Sequence, residues 1–108
     1  MVGIFQLKEN NIVFANQNCA DLLKINLKQL IGLSFFKMAQ GVQQLFFVNV
    51  LNRLNIGELE EYQSEFQLKN GDDELQYYTI KFDRIINEND EVRILGTIKA
   101  NLSSPTEI

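Results

Sequence analysis

Apolar and polar residues follow two different periods along this chain, and the change between them outlines its elements. Two short strands are predicted at Gly3–Lys8 and Asn11–Ala15, joined at Glu9-Asn10-Asn11 by residues that tolerate a tight turn. Asn16 then predicts a helix through Cys19-Ala20-Asp21-Leu22-Leu23, because an Asn side-chain oxygen accepts from the free backbone N–H groups of a first helical turn. A second helical turn fits Leu27-Lys28-Gln29-Leu30-Ile31 and ends at Gly32, a residue suited to the left-handed position after a helix. From Met38 to Asn55 the apolar positions Met38, Val42, Leu45, Phe46, Leu51 and Leu54 recur near helical spacing. Phe47, Val48 and Val50 widen that stripe beyond what a singly packed helix needs, so this helix either lines a cavity or meets a partner.

From Glu60 the period becomes two. Tyr62, Ser64, Phe66 and Leu68 alternate with Gln63, Glu65, Gln67 and Lys69, and Asn70-Gly71 supplies the strongest short hairpin signal in the chain. The next strand sets Tyr78, Ile80 and Phe82 on one face and Tyr77, Thr79 and Lys81 on the other. A polar turn at Asn87-Glu88-Asn89-Asp90 leads to a last strand from Val92 to about Asn101. The order β-β-α-α-α-β-β-β implies an α+β fold, a five-stranded antiparallel sheet with helices packed on one face. Residues 1–102 form the expected domain. Residues 103–108, which hold the only proline, Pro105, form a polar tail or the start of a linker.

A length of 108 residues suits one domain with a real core. The 45% hydrophobic content marks a folded globule rather than a disordered segment. A net charge of −4 with scattered basic residues argues against nucleic acid as a partner. The N-terminus lacks a signal-peptide pattern, and the longest apolar run, Leu45 to Leu51, is far short of the roughly 20 residues that span a bilayer. A cytoplasmic location is expected, including as the cytoplasmic part of a membrane-attached protein. The single cysteine, Cys19, has no internal disulfide partner. The chain holds no histidine, so it offers no imidazole as general base, metal ligand, haem ligand or phosphoacceptor.

Several of these short signals occur in an order that resembles a PAS domain, a small sensory fold of signalling proteins. Asn11-Ile12-Val13-Phe14-Ala15-Asn16 is similar to the family's second strand, Asp21-Leu22-Leu23 to the helix after it, Leu30-Ile31-Gly32 to the step before its long helix, and Asn70-Gly71 to its hairpin. The resemblance covers nearly the whole chain. It implies a noncatalytic sensory module of a bacterial signalling protein, a homodimer, and a C-terminal effector of kinase or diguanylate cyclase type. Two features depart from the family. Its terminal Asp-Ile-Thr is replaced by Gly96-Thr97-Ile98-Lys99-Ala100-Asn101-Leu102-Ser103, which leaves Asn101, Leu102 and Ser103 as candidates for relaying a signal. The amphipathic helix that often precedes the first strand is also missing.

Candidate chemistry narrows further on this frame. Cys19 lies one element before the position at which flavin-bonding members carry their reactive cysteine, and Gly32-Leu33-Ser34-Phe35-Phe36 holds no thiol. It reads as a small core residue. His-ligated haem is excluded within this chain, no other cofactor is expected, and noncovalent flavin stays open without a motif to support it. No metal site is expected. Acidic pairs such as Glu60-Glu61 and Asp72-Asp73-Glu74 fall at turns and strand edges, where solvation explains them. A ligand pocket would be lined by Phe35, Phe36, Val42, Leu45, Phe46, Tyr62, Ser64, Phe66, Tyr78 and Ile80, with Ser64 and the Tyr78 hydroxyl orienting a small apolar or aromatic molecule. The alternative is that the same side chains simply fill a core, leaving a ligand-free dimerisation or protein-interaction domain.

Overall fold

A computed structural model describes residues 1–39 and 42–101, with Val42 described by its backbone alone. Strands β1 (Gly3–Lys8) and β2 (Asn11–Ala15) open the chain, followed by helices α1 (Gln17–Leu23) and α2 (Leu27–Leu30), a 3-10 helix at Phe35–Met38, and helix α3 (Val42–Asn55). Strands β3 (Glu61–Lys69), β4 (Leu75–Ile86) and β5 (Val92–Ala100) complete it. The five strands form one antiparallel sheet in the order β2-β1-β5-β4-β3. The expected α+β architecture is therefore present.

Local chemistry explains the junctions. Glu9 and Asn10 both take positive φ, 50° and 75°, which makes the β1–β2 connection a two-residue turn whose twist matches the strands it joins. Asn16 does more than cap α1. Its Oδ1 accepts from the Cys19 backbone N at 2.9 Å and from the Ile4 backbone N at 3.0 Å, so one amide ties the helix start to β1. Gly32 adopts the expected left-handed conformation, φ +92°. The segment after it covers the outer edge of β2, with Gly32 N donating to Ile12 O at 2.6 Å and Ile12 N to Leu33 O at 2.9 Å.

The long helix starts later than its apolar spacing predicts. Met38 ends the 3-10 helix, and Ala39 forms an isolated bridge with Leu68, so the chain is extended there rather than helical. The two later hairpins share one device. Asn70 Oδ1 accepts from Asp72 N at 2.8 Å and Glu74 N at 3.1 Å, and Asn87 Oδ1 accepts from Asn89 N at 2.9 Å and Glu91 N at 3.0 Å. In both loops the left-handed residue is an aspartate, Asp73 or Asp90.

Gly71 is consequently not needed for a positive φ. Its backbone N donates to Leu23 O at 2.8 Å, and a Cβ at this position would meet Lys24 O at 1.8 Å. The hairpin thus lies backbone to backbone against the end of α1, where Tyr78 Oη also donates to Leu22 O at 3.0 Å. Lys24 flanks the contact, with its Nζ 3.5 Å from Asp72 and 3.6 Å from Glu74.

Substituting Gly71→Ala pushes these backbones apart and breaks the bond to Leu23 O. Urea unfolding is expected to show a loss of about 2–3 kcal/mol. Asp72→Ala removes only an exposed ion pair and is expected to cost no more than about 1 kcal/mol. Equal effects of the two substitutions would contradict the close-approach explanation.

Candidate ligand-binding interior

Five phenyl rings from five elements meet between the sheet and α3. Phe5 of β1 stacks on Phe35 of the 3-10 helix at a centroid distance of 5.1 Å, and Phe47 of α3 stacks on Phe66 of β3 at 4.3 Å. Phe82 of β4 presents its ring at steep angles to all four, at 5.9–6.2 Å. Each ring is buried. Edge-to-face and offset pairs of this kind contribute about 0.5–1.5 kcal/mol each beyond the burial of their area.

The predicted wall residues divide unequally around this cluster. Phe35, Phe66, Tyr78 and Ile80 are fully enclosed, whereas Phe36, Tyr62 and Ser64 are half-buried. Phe46 is 42% exposed, its ring 5.8 Å from Tyr62 and 6.1 Å from Phe66, so it stands at the seam between α3 and β3 rather than inside. Leu45 does not belong to the wall. It is 72% exposed, because α3 is turned so that Phe47, Val50, Leu51 and Leu54 face the sheet. The helix carries two apolar faces, and the one that packs a phenyl ring against Phe66 and Phe82 is inside. The Val42 side chain lies outside the described residues.

Polar groups meant to orient a ligand are largely engaged elsewhere. The Tyr78 hydroxyl donates to Leu22 O and reaches Gln76 Oε1 at 3.5 Å, so it serves the α1 contact instead of a guest. Burial, aided by nearby Glu74 and Cys19, holds that phenol above its ordinary pKa and keeps it a donor. Ser64 sits opposite Ile80 across the β3–β4 pair. Three clefts formed by described residues are open to solvent. One of about 470 Å³ is bounded by Lys8, Glu9, Asn10, Asn52, Asn55, Glu91, Val92 and Arg93.

Two residues of the interior carry no local sequence signal. Phe5 lies directly across from Gly96 in the β1–β5 pair, and a Cβ on Gly96 would come within 2.1 Å of the Phe5 ring. Gly96 is thus the floor on which that ring rests, as glycines inside strands often are where another group approaches closely. Of the relay candidates, Asn101 is described. Its backbone N donates to Tyr77 O at 2.9 Å and its side-chain amide bonds to the Glu65 carboxylate, which fastens the end of β5 across β4 to β3. Leu102 and Ser103, with the expected boundary between them, lie outside the described residues.

No protein-family model matches the sequence, and no curated protein sequence matches it. Solved structures do. The PAS domain of a protein from Colwellia psychrerythraea superposes with a TM-score of 0.79 at 16% identity, over 93% of this chain and 86% of that one. The fold is that of a PAS domain. Drosophila melanogaster Cycle PAS-B with bound ethylene glycol gives a TM-score of 0.80 at 10% identity, over 92% of this chain and 99% of that one. The N-terminal domain of a diguanylate cyclase with PAS/PAC sensor from Marinobacter aquaeolei gives 0.75 at 10%, over 93% and 94%. Within this PAS fold Cys19 is fully buried in α1, where burial pushes its thiol up to about 12.

Two measurements test that burial. Ellman's reagent is expected to leave Cys19 unmodified in native buffer and to react promptly in denaturant, because only the thiolate attacks. The unfolded thiol releases its proton near pH 9 and the folded one near 12, so the unfolded chain binds fewer protons between them. Stability is therefore full below pH 9 and falls as pH rises toward 12, with a shallower fall in Cys19→Ala. Rapid native labelling would contradict the burial.

Proposed function

We propose that this chain is a noncatalytic sensory and interaction module. It regulates an attached C-terminal output domain, of the kinase or diguanylate cyclase kind, through self-association in the cytoplasm. The observation that carries this reading is the packing of five buried phenyl rings against one another between the sheet and α3. A signal then acts by altering which surfaces meet, through unequal affinity of two conformations for a partner. The absence of histidine, which removes an imidazole general base and a histidine haem ligand from this chain, supports assigning chemistry to the output domain. The diguanylate cyclase whose N-terminal domain shares this fold supports the coupling to an effector.

A second reading is favoured by Phe46. Its half-exposed ring closes the α3–β3 seam over Phe66, and a small apolar or aromatic molecule would enter by displacing it. The ethylene glycol named with Cycle PAS-B supports a guest of small size.

Native mass spectrometry separates the two. Self-association predicts a dimer of the 12.5 kDa chain with no added mass. A reproducible extra mass lost in Phe46→Trp would favour the small-ligand reading instead, and a bare monomer at every concentration would overturn self-association.

A further inference from the structure

The second apolar face of α3 points to a specific surface for this association. Leu45, Val48, Asn49 and Asn52 fall at offsets of three, four and seven residues, along one face of the helix. Ile56 extends the stripe by one more turn, because its backbone N still donates to Asn52 O at 3.0 Å. Leu45 is 72% exposed, Ile56 67% and Val48 40%, and both asparagines are exposed. None of the five is charged.

The charge pattern singles this face out for a second copy. The fifteen residues from Met38 to Asn52 contain no Asp, Glu, Lys or Arg, although the chain is 22% charged and such a span would ordinarily hold about three. Arg53, beside the stripe, is already engaged by Glu58 at 3.1 Å. A protein of net charge −4 repels its own copy over most of its surface. Burying a charged face against itself would also desolvate like charges. The outer face of the sheet carries Lys81, Lys99, Glu61 and Glu65, so burying it would strip water from charged groups of both signs, even though Ile4, Val13 and Phe14 are exposed there. Charge depletion with apolar and amide side chains is the composition of an interface centre.

We infer that this stripe is an isologous homodimer interface in which the two α3 helices pack antiparallel. A two-fold axis midway between Asn49 and Asn52 sets Asn49 of each copy beside Asn52 of the other, and Leu45 beside Ile56. The asparagine amides satisfy one another and fix the register, as single buried asparagines do in paired helices. Leu45 and Ile56 supply apolar contact at both ends. The 14-residue helix is about 21 Å long, so the contact is at the small end of interfaces and the dimer is a weak one. This inference rests on the self-association reading and adds the surface to it.

Sedimentation velocity over a concentration series of the chain tests it, with circular dichroism confirming that each variant is folded. Leu45→Glu is expected to weaken the dimer at least ~30-fold, and Phe14→Glu, on the outer sheet face, to change it less than ~3-fold. Mild oxidation of Leu45→Cys chains mixed with Ile56→Cys chains is expected to give the mixed disulfide dimer. A dimer abolished by Phe14→Glu but not by Leu45→Glu overturns this surface while leaving self-association intact. A wild-type chain that stays monomeric overturns both. Crosslinking of Leu45→Cys chains to themselves in preference to the mixed pair overturns the antiparallel arrangement.

Discussion

The Phe82 ring stands where four other phenyl rings converge, and the placement of most elements follows from that meeting. Phe5 and Phe66 bring β1 and β3 to it, Phe35 brings the 3-10 helix, and Phe47 brings α3. Sheet order alone would leave β1 and β3 with no direct contact, since β5 and β4 lie between them. Aromatic side chains span that distance where aliphatic ones would leave voids, and a void in a close-packed interior forfeits dispersion contacts on every side. The same convergence orients α3. Once Phe47 is seated between Phe66 and Phe82, Val50, Leu51 and Leu54 follow it inward, and Leu45 and Val48 must face solvent.

The ring cluster leaves the buried polar groups beside it to serve neighbouring elements. A phenol deep in a PAS-type core could hold a ligand, yet Tyr78 spends its proton on the Leu22 carbonyl at the end of α1. Those carbonyls need partners because the last turn of a helix leaves them unsatisfied. Gly71 and Tyr78 meet that need from the β3–β4 hairpin, so the hairpin serves as the C-terminal cap of α1. Asn16 answers the converse need at the other end of α1, where its Oδ1 accepts from a free backbone N–H. The short helix of seven residues is therefore held by the sheet at both termini, which its own length could not achieve.

Much of this was legible in the sequence because it is local. The strand limits at Gly3–Lys8 and Asn11–Ala15, the Asn16 cap and the Gly32 terminus rest on neighbouring residues whose preferences agree with the fold. What escaped depends on residues far apart in the chain. The inward face of α3 is chosen by Phe66 and Phe82, and neither of its two apolar stripes reveals which one they will meet. Gly96 reads as an ordinary strand glycine until Phe5 is known to lie above it. Gly71 was recognisable as a hairpin glycine, but its reason is a carbonyl 47 positions earlier in the chain, at Lys24, and not the turn itself.

The same long-range contacts converge on β5. The chain holds no histidine, and burial keeps the Cys19 thiol protonated. Gly96 of β5 lies opposite Phe5 on one side and Phe82 on the other, so two of the five rings bear on one residue of that strand. Five positions later Asn101 binds Tyr77 O and Glu65, which anchors the strand's end to β4 and β3 together. A neutral amide there donates to Glu65, whereas a carboxylate at the same position would sit beside Glu65 and repel it. The asparagine at this position is thus matched to the glutamate across the sheet, and one strand joins the ring cluster to the β3–β4 pair.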